Sequence, residues 1–275
     1  TPEDRRNLAS VNIRLFGIEQ KAGHRLFTKV TFSVISSWIS MEAKNASYER
    51  KQFDHSTPIP ELAEYFKYGF TEILNVEGSL NGESEKMLQT IVNSLQIMKL
   101  EFEIGTEISY RLFNQIMQSH KSIQEIVILW SFENSETSRR KIFSLQPFGE
   151  NCIITFLTSD NFIDDDSFCH LVKLSSGNKT IGCPQNIITE AGFSKVFEMI
   201  CCGKLRCEVT IPLSRHMIRT EFLVRMDRSL RHVRSQSSNE LIMAHLSGAI
   251  LKFTAVLSEA RGFIWTTMIP SQNKN

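Results

Sequence analysis

The stretch Met98-Lys99-Leu100-Glu101-Phe102-Glu103-Ile104 constrains this chain more than any other, because apolar residues recur at every second position from Leu100 on. A period of two puts one set of side chains on each face of a strand. Leu112, Phe113, Ile116 and Met117 then recur at helical spacing, and Ile126-Val127-Ile128-Leu129-Trp130 is an apolar run expected to be a strand buried on both faces. The two strands begin about 27 residues apart. That distance predicts a strand–helix–strand unit with parallel pairing, and it is also the period of a leucine-rich-like solenoid repeat.

The rest of the chain extends this pattern. Val11–Leu15 alternates and predicts a strand, and a second strand is expected over Leu26–Ile39. The polar stretch Glu42–Pro60 reads as an exposed loop. Helices are expected over 61–74 and 84–95, the second with Ser84 as its cap. A polar tip at Glu133–Arg140 precedes strands at Ile142–Leu145 and Cys152–Leu157. Asp164-Asp165-Asp166 opens a helix, Ile187–Ile200 forms another that Gly203 stops, and Cys207–Ile211 is a strand. Leu241–Leu246, Ile250–Leu257 and Gly262–Ile269 read as three consecutive strands. The expected fold is therefore α/β, with leucine-rich-like strand–helix repeats and a C-terminal antiparallel β-meander. Residues 1–214 would form the repeat-like domain with its N-terminal strands, and 215–275 a basic segment and meander packed on the same domain.

With a net charge of +1, the chain as a whole makes no electrostatic case for nucleic acid or an anionic membrane. Cys152, Cys169, Cys183, Cys201, Cys202 and Cys207 form no Cys-x-x-Cys pair and no zinc spacing, so they read as free thiols in a reducing compartment, cytoplasmic or nuclear. No apolar run approaches the ~20 residues of a membrane span. A start at Thr1-Pro2 is expected of a piece of a longer protein.

The acidic run at 164–166 lacks the glycine turn and terminal glutamate of a calcium loop and reads as a helix start. Cys169-His170 are neighbours in sequence and point apart, which argues against a catalytic dyad. No nucleophile elbow, phosphate loop or dinucleotide fingerprint is present, so neither an enzyme nor a cofactor or metal is expected. The strongest charge feature is Lys204–Arg234, with eight basic residues against three acidic ones. If 215–234 is helical, Arg219, Arg225, Arg228 and Arg231 are the candidate partner-binding residues, suited to an acidic protein surface or to phosphates.

The element order carries a resemblance. A strand closing on Trp38, a polar stretch and a pair of helices lead into Leu95-Gln96-Ile97-Met98-Lys99-Leu100-Glu101-Phe102, Phe113-Asn114-Gln115-Ile116 and Ile123-Gln124-Glu125-Ile126-Val127-Ile128, with closing strands around Gly248 and Phe263-Ile264-Trp265. This resembles the nematode F-box-associated domains. The resemblance implies a protein-binding, substrate-recognition domain of an SCF-type ubiquitin ligase adaptor. Its partners would be a target protein for ubiquitylation and, through an upstream F-box that this chain lacks, a Skp1-type adaptor. The alternative is a nucleic-acid- or membrane-associated structural protein, viral for example, acting through 204–234. A hydrolase would need a deep pocket with convergent polar groups.

Overall fold

The computed structural model describes residues 25–35, 38–45, 49–132, 135–183, 186–214, 231–233, 240–254 and 263–271. The chain divides into two compact units, residues 1–123 and 124–275. The strand expected over Val11–Leu15 and the domain boundary expected at 214/215 fall on or beside residues outside the description.

The first unit contains β1 (Leu26–Ile35), β2 (Trp38–Asn45), β3 (Arg50–Asp54), α1 (Ile59–Phe66), β4 (Gly69–Gly78), α2 (Gly82–Ser94), β5 (Leu95–Ile104) and α3 (Glu107–Ser119). Its strands lie in the order β5-β4-β1-β2-β3. β1, β4 and β5 are parallel, while β2 runs antiparallel to β1 and β3. Two rows of register partners, Phe53-Met41-Phe32-Val76-Phe102 and Ala43-Val30-Leu74-Leu100, fill the buried face. Helices cover that face. Phe66 of α1 meets Phe27 at 5.3 Å and Phe53 at 5.9 Å, and Phe113 of α3 meets Phe102 at 5.6 Å. Burying each such ring contributes roughly 1.5–3 kcal/mol.

Four expectations are corrected here. The exposed loop expected over 42–60 is largely strand: Ile39, Met41 and Ala43 point inward and alternate with Ser40, Glu42 and Lys44, so a half-polar hairpin looks polar by composition. The single strand expected over 26–39 is β1 and the start of β2. The helix expected over 61–74 ends at Phe66, where Tyr68 (φ 57°) and Gly69 turn the chain into β4. Phe70 and Leu74 keep helical spacing from Phe66 by coincidence. The helix expected over 84–95 is present as α2, but its cap is Asn81. The Asn81 side chain accepts from the Ser84 backbone N–H, and the Ser84 side chain accepts from the Asn81 N–H.

The second unit contains β6 (Glu125–Trp130), α4 (Ser135–Phe143), β7 (Ile153–Thr158), α5 (Asp165–Leu171), β8 (Lys179–Gly182), α6 (Glu190–Cys201), β9 (Val209–Ser214), β10 (Arg231–Val233), β11 (Glu240–Ala244), β12 (Ile250–Thr254) and β13 (Phe263–Ile269). The order is β10-β11-β12-β13-β9-β8-β7-β6. β6 to β9 pair parallel in sequence order, and β9, β13, β12, β11 and β10 pair antiparallel. The polar tip and strand expected over 133–145 are instead helix α4, whose Ser138 hydroxyl accepts the indole N–H of buried Trp130 at 2.9 Å. β6 is not buried on both faces as expected: Ile126, Ile128 and Trp130, the last bonded to α4, are buried, and Val127 and Leu129 on the opposite face are half-buried. β8, four residues long, carried too little periodicity to be anticipated.

Candidate functional site

In the first unit, the sheet face opposite the helices is lined by the residues that alternate with the core. Register places them in rows across the strands. One row holds Arg50, Lys44, Lys29, Ile73 and Lys99; the next holds Gln52, Glu42, Thr31, Asn75 and Glu101. A third holds Asp54, Ser40, Ser33 and Glu77, with Glu103 two residues beyond Glu101 on the neighbouring strand. Beyond it Trp38 pairs with Ile35, 56% and 72% exposed. Charge is thus sorted from a basic row, through carboxylates, to an exposed apolar pair. Among the described residues no helix packs on this face.

Ion pairs link the rows, Lys99 Nζ lying 3.2 Å from Glu101 along β5 and Arg50 Nε of β3 lying 3.5 Å from Glu42 of β2. Asn75 donates to Glu77 at 2.6 Å, and Glu103 accepts the Gly78 N–H at 2.7 Å.

A cleft of about 570 Å³ opens on this face over β1, β2 and β3. Its lining includes Trp38, Glu42, Asp54, Ser33, Ser40 and Ser56. None of the described residues that line it is cationic. The Asp54 carboxylate accepts from the hydroxyl of Ser56 at 2.5 Å and from its N–H at 2.8 Å. These bonds, the hydroxyl first, hold its carboxyl below the usual aspartate value, so it is ionised at neutral pH. The Trp38 ring stands edge-on to His55, 4.9 Å between centroids. A second hollow of about 340 Å³, between α2 and α3, is lined by Gln89, Asn93, Gln115 and Ser119 with apolar neighbours and holds no ionisable group.

The residues singled out in sequence lie elsewhere. Arg219, Arg225 and Arg228 fall outside the described residues. Arg231 lies on β10 with its backbone paired to Ala244, so the helix that would have aligned it with the others does not extend to 231. The acidic run is structural: Asp164 caps α5, accepting from the Ser167 N–H at 2.9 Å, and meets Arg139 at 3.2 Å. Asp165 accepts from the Thr189 N–H and hydroxyl at 2.7 and 2.6 Å, fixing the residue that caps α6. All six cysteines are free thiols in the structure. Cys169 is buried beside His170, and burial pushes its thiol up. Among the described residues no group of three His, Cys, Asp or Glu is arranged to hold a metal, and no helix is long and apolar enough to cross a membrane. The open face escaped sequence reading, although the alternation from Trp38 to Lys44 signals it.

Compared with known proteins, the chain matches no family model, and no curated protein is similar to it.

Proposed function

We propose that the chain is a protein-binding domain, the substrate-recognition half of an F-box-type ubiquitin ligase adaptor. The observation that carries this reading is the face of the first unit on which no helix packs among the described residues, with its sorted charge rows, cleft and exposed Trp38. Exposed aromatic anchors set among ordered polar groups are what protein interfaces use. The strand pattern supports the leucine-rich-like part of the reading. From β4 to β5 and from β6 to β9, parallel partners such as Gly69 with Leu95, Glu125 with Ile153, Ile154 with Lys179 and Lys179 with Val209 are about 25 to 30 residues apart in the chain, whereas β1 and β4, with β2 and β3 between them, pair Leu26 with Phe70. Strands that pair in sequence order, joined by crossovers of one hand, place their helices on one side and leave the other for a partner.

The test is made in proteasome-inhibited cells. The protein is purified in its original form, as a Trp38→Ala/Glu77→Lys variant and as Lys86→Glu, a change on the exposed side of α2. The ubiquitylated proteins bound by the original form are expected to be lost from the double variant and retained by Lys86→Glu. The same bound set in all three preparations would overturn the reading.

A further inference from the structure

We propose that the cleft over β1, β2 and β3 receives a cationic side chain, lysine or arginine, from the protein segment that the domain binds. The inference rests on the protein-binding reading and names the chemistry of its partner. Four features of the cleft lead to it.

The volume, about 570 Å³, lies within the ~300–1,000 Å³ of pockets that enclose small groups, so a long side chain enters with part of its backbone. The lining joins two carboxylates, Glu42 and Asp54, to hydroxyls of Thr31, Ser33, Ser40, Ser56 and Thr57 that can accept from an ammonium or guanidinium. Trp38 supplies an exposed indole, the ring that attracts a cation most strongly and also covers an aliphatic stem. The Ser56 donors fix Asp54 as an ionised acceptor before any partner arrives, so binding does not have to order it.

Charge complementarity disfavours an anionic occupant. A phosphate or an acidic side chain here would face Asp54 and Glu42, and although Arg50 pairs with Glu42 at 3.5 Å from outside the cleft, none of the described lining residues is a cation. The basic row lies on the other side of the acidic ones: Arg50, which meets Glu42 at 3.5 Å, is four residues from Asp54 on β3, ~13 Å along an extended strand. A partner segment carrying a basic residue over the cleft and an acidic one near Arg50, Lys44 and Lys29 satisfies both rows. Nucleic acid satisfies only one.

The experiment uses fluorine NMR of the protein labelled with 5-fluorotryptophan. The chain has three tryptophans, and Trp38→Phe identifies the Trp38 line. The probes are acetyl-glycyl-lysyl-glycinamide and its arginyl, glutaminyl and glutamyl counterparts at constant ionic strength. The lysyl and arginyl peptides are expected to shift the Trp38 line saturably, with dissociation constants on the order of millimolar, and to leave the Trp130 line in place. Asp54→Asn and Glu42→Gln are each expected to weaken that binding about tenfold, with folding checked by unchanged circular dichroism. An equal shift with the glutaminyl peptide, no shift at about 20 mM peptide, or cationic binding untouched by both substitutions would overturn the proposal. If the Trp38→Ala/Glu77→Lys variant loses its bound proteins while the cationic peptides leave Trp38 unmoved, this inference fails and the protein-binding reading stands. If the peptides bind as stated and the bound proteins are unchanged, the protein-binding reading fails.

Discussion

Lys179 occupies a position that its neighbours on the adjacent strands, Ile154 and Val209, give to aliphatic side chains. It is 2% exposed, and its ammonium donates to the carbonyls of Ser175 (2.7 Å) and Gly177 and lies 3.4 Å from Cys207 Sγ. Burial lowers its pKa, with the Cys207 thiol opposing. A lysine there closes the 175–177 turn against the sheet by satisfying carbonyls that would otherwise be buried unpaired. Lys179→Ala is therefore expected to destabilise the protein by about 2–4 kcal/mol in urea unfolding, through orphaned carbonyls and a cavity together. His170 provides a second residue-scale prediction. Its Nε2 is buried without a partner, and burial, with Lys173 adding, lowers it from the ordinary 6.5. His120 is lowered as well, by burial. A histidine depressed in the fold protonates first in the unfolded chain, so its contribution is complete above 6.5 and is lost as pH falls from there toward the folded value. The melting temperature should decline between pH ~7 and ~5, and His170→Leu should flatten the decline.

At the scale of elements, helix ends and strand ends are set by a few contacts. α2 and α3 both begin in capping boxes, Asn81 with Ser84 and Thr106 with Ser109. Asn81→Ala or Thr106→Ala is expected to cost about 1 kcal/mol each, additively, by thermal unfolding. Gly78 ends β4 with φ +89°, and a Cβ there would lie 1.9 Å from the Val34 carbonyl oxygen on β1. Gly78→Ala should cost about 2 kcal/mol or more, since both the backbone angle and the space exclude it. These features were unevenly legible in sequence. Ser84 stood out as a capping residue, yet its partner Asn81 is the cap, because the box is reciprocal and either serine or asparagine fits the pattern. The strict alternation of β5 was readable because one face of the strand packs under helices and the other does not. β2 carries the same alternation, but its small, polar residues hid it behind a loop-like composition. The helix read into Phe70 and Leu74 failed because spacing of four serves a helix turn and, equally, two strand repeats.

For the molecule as a whole, the arrangement of charge matters more than its sum. Net charge is +1, yet the open face of the first unit separates a basic row from two rows that hold its carboxylates. Over a Debye length of ~10 Å at 0.1 M salt such rows still act as distinct patches. Partner retention is therefore expected to weaken modestly as salt rises from ~50 to ~500 mM, and less steeply in Glu77→Lys, read by elution from immobilised protein. Duplex DNA, by contrast, should bind no tighter than the ~10⁻⁴–10⁻⁶ M of non-specific association at physiological salt. Tighter binding with a log–log slope of several units, measured by anisotropy, would favour the alternative that rests on 204–234.

Local pattern alone determined the α/β class, the strands at β5, β6, β7 and β9, most of the helices, and the three closing strands. In β5 and the helices the period of apolar residues reflects one buried face, while β6 and β7 are marked by apolar runs; both signals are written in neighbouring positions. The tertiary structure decided which polar residues become neighbours. Lys29, Lys44, Arg50 and Lys99 belong to four strands and are scattered over 71 positions, and only register aligns them. The cleft arises in the same way, since Trp38, Glu42 and Asp54 meet because β2 folds back on β1 and β3 on β2. A strand's own sequence specifies which face a side chain takes. Pairing between strands, set by turns and the shared core, specifies what stands beside it.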